Sequence, residues 1–140
     1  ACGGRFPVPL FWGKDWLTEL LESVGLSAVD KKNVKYFSIG MKQRLGIALA
    51  LVGDPELVLL DEPINGLDPQ GMAEIREMIV RLNRERGMTF IISSHILGEL
   101  SKIATSYGII EQGELKRQIS KTELTEDLEK YYFRLTGGIS

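Results

Sequence analysis

Asp61 and Glu62 stand side by side at the end of an unbroken apolar run, residues 57–60 (LVLL), and Pro63 follows them. Adjacent carboxylates at the carboxyl end of a strand lie where open α/β sheets place ligand chemistry. Successive side chains on a strand end point differently, so one carboxylate can hold a cation while its neighbour handles water. Alone, the run reads equally well as a core strand leaving the fold through a solvated turn. His95, the only histidine, follows a second apolar run, residues 88–93 (MTFIIS). A lone histidine there is more often a surface or satisfied core residue than a catalyst. Ser38 and Gly40 precede a helical pattern, and a helix start offers unpaired N–H groups and a positive dipole end to a phosphate. The plain alternative is an ordinary serine cap. Asp68 and Pro69 make a good N-cap and first-turn pair, because proline gives up only an N–H with no intrahelical partner.

The elements that must carry these residues follow from periodicity. From Asp15, residues Trp16, Leu17, Leu20, Leu21 and Val24 fall on one helical face, Asp15 can cap, and Gly25 is a stop. A polar and basic connection, residues 27–36, leads to Ser38. A helix starting at about Met41 places Met41, Leu45, Ala48, Leu49 and Val52 on one face and ends at Gly53-Asp54-Pro55. Gly46 inside it costs about 1 kcal/mol against alanine, which leads us to expect a close packing neighbour. The run 57–60 lacks alternation and predicts a strand buried on both faces. Met72, Ile75, Ile79 and Leu82 predict a helix up to Gly87, and residues 88–93 a second buried strand, delivering His95 beside Asp61 and Glu62. Strand, helix and strand in this order imply a right-handed crossover in a parallel sheet, hence an α/β fold.

Ile96, Leu97, Leu100 and Ile103 suggest a short helix. Residues 107–111 and 114–119, joined by Gln112-Gly113, predict a hairpin at the sheet's edge. A last helix, about 125–135, carries Leu128, Tyr131, Tyr132 and Leu135 and ends at Gly137-Gly138. At the start, Gly3, Gly4, Pro7 and Pro9 break regular structure, and residues 1–14 are left unassigned, as readily foreign to the fold as a native loop.

Composition bounds the function. The chain has 140 residues, enough for one domain with a core. Its 17 basic and 19 acidic residues leave a formal charge of −2, so no global field attracts nucleic acid or an anionic membrane. The one cysteine, Cys2, leaves no internal disulfide and agrees with a reducing compartment. No apolar stretch approaches the ~20 residues that span a bilayer, so a membrane role is expected to come through a partner.

Taken together, Phe37-Ser38-Ile39-Gly40-Met41-Lys42-Gln43-Arg44, the segment 57–63, Gly66-Leu67-Asp68-Pro69 and Ser93-Ser94-His95 resemble, in order and spacing, motifs of the ATP-binding-cassette (ABC) ATPases. They match the signature motif, Walker B element, D-loop and switch histidine. The resemblance covers residues 19–138 and implies a P-loop NTPase-like parallel sheet with flanking helices, here incomplete. It assigns residues 15–53 to the end of a helical subdomain and 54–140 to the second half of the ATPase core.

It further implies ATP and Mg²⁺ as ligands, with Asp61 helping to hold the metal and Glu62 polarising the attacking water. His95 would contact the γ-phosphate. Ser38, Gly40, Gln43 and Asp68 would face ATP held by the other subunit of a head-to-tail dimer. Ile39-Gly40 stands where many members have two glycines, and Met41 replaces a frequent glutamine. Ile64 occupies a place that is often small and polar, and is given no role. SIGMKQR followed by Leu-Gly-Ile-Ala resembles the bacterial exporters of bacitracin and lantibiotic type. A transmembrane permease is the implied partner, at the cytoplasmic face of the cell membrane.

The 140 residues contain no Gly-x-x-x-x-Gly-Lys-Ser/Thr loop. Gly13-Lys14 has Asp15 in the hydroxyl position and Val8 in place of the first glycine, and Pro7 and Pro9 have no N–H to offer a phosphate. We therefore expect this chain not to hydrolyse ATP unaided, and to self-associate through apolar surface and unpaired strand edges. The alternative is a non-catalytic module that completes the ATP site of a partner subunit. A soluble ABC protein of DNA maintenance or translation is disfavoured, because no basic extension or long coiled coil is present.

Overall fold

A computed structural model describes residues 14–27 and 33–137. The expectation for the start of the chain, apart from Lys14, lies outside these residues. The chain divides into two units, Ala1–Ser94 and His95–Ser140.

In the first unit α1 (Lys14–Ser23) leads through a 3₁₀ turn (Val34–Tyr36) to α2 (Ile39–Ala50), β1 (Leu57–Asp61), α3 (Pro69–Arg86) and β2 (Thr89–Ser93). Trp16, Leu20 and Val24 of the α1 stretch are buried as their spacing predicts, whereas Leu17 is exposed. Gly25 takes φ +73°, the left-handed turn that ends a helix, and Leu26 behind it is buried. β1 and β2 pair in parallel, with Leu57 opposite Thr89 and Asp61 opposite Ser93. α3 connects them, capped by Asp68 and closed by left-handed Gly87. Its apolar face is Ile75, Met78, Ile79 and Leu82.

Several expectations fail in this unit, among them the second buried strand, since no residue of β2 is buried. β1 is not buried on both faces: Val58 and Leu60 are buried, while Leu57 and Leu59 are 48% and 68% exposed. Ile91, opposite Leu59, is 55% exposed, so an apolar stripe of the two-stranded sheet faces solvent. A parallel sheet needs cover on each face, and among the described residues only the face of Val58 and Leu60 receives it. On α2 the buried residues are Ile47 and Ala48, continued by Leu51, while Leu49 is 66% exposed and Val52 is exposed. Residues 45–52 are apolar almost all round, so periodicity leaves the face open, and the contacts with α1 and β1 select it. Gly46 has nothing near enough to meet an added Cβ, so packing does not explain that glycine.

The second unit contains α4 (Leu97–Ile103), β3 (Ser106–Glu111), β4 (Glu114–Ser120) and α5 (Leu128–Thr136). β3 and β4 form the expected antiparallel hairpin, and both turn residues, Gln112 and Gly113, take positive φ. Among the described residues the hairpin is a sheet of its own and not the edge of the β1–β2 sheet. Tyr107 and Ile109 point inward, and burial pushes the Tyr107 phenol pKa up. α5 starts at Leu128, later than expected, because the Asp127 side chain accepts the Glu129 N–H and caps it there.

Candidate functional site

Two helix starts meet in the first unit. Ser38 opens α2 with its Oγ accepting the Met41 N–H at 3.2 Å. Asp68 opens α3 with Oδ1 accepting the Gly71 N–H at 2.9 Å. Residues Ser38 to Met41 and Gly66 to Asp68 line one cleft of about 510 Å³. The sequence places these segments far apart in the chain; folding brings Ser38, Gly40 and Asp68 to one surface. Their glycines differ in kind. Gly66 takes φ +73°, which favours glycine, whereas a Cβ on Gly40 would lie 3.6 Å from Leu67 Cδ2, an ordinary contact. At Gly71 a Cβ would meet Asp68 Oδ1 at 2.8 Å, so the glycine leaves room for the capping carboxylate.

Gln43 does not line this cleft. It lies half-buried further along α2. Ile64 is core, 5% exposed, which accounts for its apolar character.

The carboxylate pair is built by the strand register. Because Asp61 pairs with Ser93, the serine Oγ donates to Asp61 Oδ1 and accepts the Glu62 N–H at 3.1 Å. The Ser93 carbonyl accepts the same N–H at 3.2 Å. Ser93 therefore fixes both the first carboxylate and the backbone of the second, a role that the motif Ser93-Ser94-His95 does not reveal by spacing. Glu62 takes φ +46°, a left-handed conformation that costs a non-glycine residue about 1–3 kcal/mol and is held by its surroundings. Glu62 is half-buried with its Oε2 buried, while Asp61 is exposed. One carboxylate thus meets solvent, and the other keeps one oxygen out of it. His95 is exposed and opens the second unit.

Among the described residues no three His, Cys, Asp or Glu side chains gather as a metal site. A Mg²⁺ bound by one carboxylate, water and phosphate oxygens requires no such gathering, and Asp61 offers a hard, exposed oxygen donor of that kind.

Residues 9–65 match the family model described as ABC transporter. The ABC transporter ATP-binding protein YcbN of Bacillus subtilis, itself uncharacterized, is 46% identical over 86% of this chain and 39% of that protein. The bacitracin transport ATP-binding protein BcrA of Bacillus licheniformis is 50% identical over 84% of this chain and 39% of its own length. The lantibiotic transport ATP-binding protein SrtF of Streptococcus pyogenes is 50% identical over 78% and 48%. The chain thus spans less than half the length of these relatives. The structure of cbiO1 from Clostridium perfringens, part of the ABC transporter complex cbiONQ, superposes with a TM-score of 0.71 at 29% identity, over 83% of this chain and 48% of that one.

An ABC-type ATPase domain of the P-loop NTPase fold is the class that fold and motifs define, and the chain carries part of one. Its sequence places it with the ABC transporter ATP-binding proteins, bacitracin and lantibiotic transport proteins among its relatives.

Proposed function

We propose that this chain is part of the ATP-hydrolysing subunit of a bacterial ABC exporter, whose hydrolysis of ATP to ADP and phosphate drives a transmembrane permease. The convergence of the starts of α2 and α3 on one cleft carries the reading: two positive helix ends suit an anionic ligand. Export of antibiotic-like peptides or other small molecules rests on the names of the bacitracin and lantibiotic relatives. The subunit sits at the cytoplasmic face of the membrane through its permease. Among the described residues no helix is long and apolar enough to cross it.

In this reading Glu62 receives a proton from water as the water oxygen bonds to the γ-phosphorus, and the bond to the β,γ-bridging oxygen breaks with ADP as leaving group. Asp61 would help hold Mg²⁺, which supplies charge neutralisation to the phosphates. His95 donates a hydrogen bond to a γ-phosphate oxygen and so registers its presence. Ser38, Gly40 and Asp68 approach the ATP of the second subunit. Mg²⁺-dependent phosphate release from ATP by the protein that carries this chain is the test. Absence of turnover in complex with the permease would contradict the reading.

The exposed stripe of Leu57, Leu59 and Ile91 supports self-association of the 140-residue chain. Light scattering should give a mass above the monomer, and Leu59→Lys should bring it down. A monomer at every concentration would count against this.

A further inference from the structure

Arg44 belongs to the signature segment but not to its helix start, and its guanidinium reaches in two directions. Nη1 donates to the Val24 carbonyl at 3.1 Å, at the C-terminal end of the α1 stretch, where a helix end carries partial negative charge. Nη2 donates to Glu74 Oε2 on α3. The other Glu74 oxygen accepts from Gln70 Nε2 at 3.1 Å, and Gln70 lines the cleft between Ser38 and Asp68. The Arg44 side chain is only 18% exposed. An added Cβ on Gly25 would lie 2.8 Å from Arg44 Nη1, so the left-handed glycine turn after α1 admits the guanidinium. Arg81 of α3 donates to the Ser23 carbonyl and grips the same end of α1.

A second cleft, about 620 Å³, opens on the other side of this knot between α1, α2 and α3. Met41, Arg44 and Glu74 line both clefts, so the ion pair stands in the wall between them.

We infer that the Arg44–Glu74 pair is a positioning device that holds the starts of α2 and α3 at one spacing and ties that spacing to the end of α1. The inference rests on the ATPase reading above and deepens it. Ser38, Gly40 and Asp68 can act on one phosphate only if the two helix starts keep their separation. A charge-assisted hydrogen bond from Arg44 to Glu74, with the second guanidinium nitrogen anchored on the Val24 carbonyl, sets that separation more rigidly than apolar contact does. A shift of α1 then reaches the cleft through Arg44. Because the cleft acts on ATP carried by the facing subunit, its misplacement falls on turnover and spares apparent affinity.

The test is Glu74→Gln, which keeps the shape of Glu74 and its bond from Gln70 and removes the charge that holds Arg44. In the intact ATP-binding protein kcat should fall about tenfold, a cost typical of small misplacements, with KM moved by less than about twofold. In the 140-residue chain, hydrogen exchange should quicken at residues 38–44 and 66–74 and stay unchanged at the core residues 78–82. A kcat within about twofold of wild type would overturn the inference and leave the ATPase reading standing. Uniform acceleration of exchange across the first unit would also overturn it, because the pair would then be a general stabiliser. A wild-type protein without turnover would overturn the ATPase reading, and exchange alone would then decide whether the pair fixes the two helix starts.

Discussion

Glu62→Gln is expected to lower ATP turnover by about three orders of magnitude, within the range for losing a positioned general base, while ATP binding persists. Glutamine has the shape of glutamate but accepts no proton at neutral pH, so water activation is lost and little else changes. The backbone should stay in place, because the N–H of residue 62 donates to the Oγ and carbonyl of Ser93, and the substitution leaves that N–H unchanged. Its left-handed φ is likewise no harder for glutamine than for glutamate. Phosphate release gives the rate, and displacement of a fluorescent ATP analogue gives binding. A variant that retains more than about a tenth of wild-type turnover would remove Glu62 from the role of base.

Ile75→Ala should destabilise the first unit by about 3 kcal/mol, within the range for deleting a buried isoleucine side chain. Ile75 is 1% exposed on the inner face of α3 and is among the largest fully buried side chains. Domains of this size are held by roughly 5–15 kcal/mol, so the loss is a large part of the whole. It should appear in urea unfolding as a lower midpoint with an unchanged slope. Leu49→Ala makes the contrast: Leu49 is as apolar but 66% exposed, and its replacement should stay within about 0.5 kcal/mol. Equal effects at the two positions would mean that the α2 and α3 faces are assigned wrongly.

Those two residues also mark what was legible in the sequence. α3 is bounded by Asp68-Pro69 and Gly87, so its start and end follow from spacing, as do Ile75, Ile79 and Leu82 of its buried stripe, while Met78 is buried in place of the expected Met72. α2 is apolar on nearly every side between 45 and 52, so periodicity finds the helix and not its face. The strand 57–60 shows the complementary failure. Unbroken apolarity signals two faces meant for burial, and the described residues cover only that of Val58 and Leu60. At the site, Ser38, Gly40 and Asp68 could be named from motif spacing, and their shared cleft follows from the fold. Gln43 shared the motif without sharing the cleft. Ser93 and Arg44 escaped because their roles depend on strand register and on the end of a helix 20 residues upstream, neither of which leaves a local pattern.

The central claim is that Glu62 and the Ser38–Gly40 segment act on one ATP from two facing subunits. It is tested by mixing two inactive forms of the intact ATP-binding protein, Glu62→Gln and Ser38→Arg. Each homodimer lacks turnover, but a mixed dimer pairs the intact Glu62 of one subunit with the intact Ser38 of the other. With random exchange of subunits the mixture should regain about a quarter of wild-type turnover, because half the dimers are mixed and each has one complete site. A mixture no more active than its two components would contradict the claim and place both residues at a site within one chain.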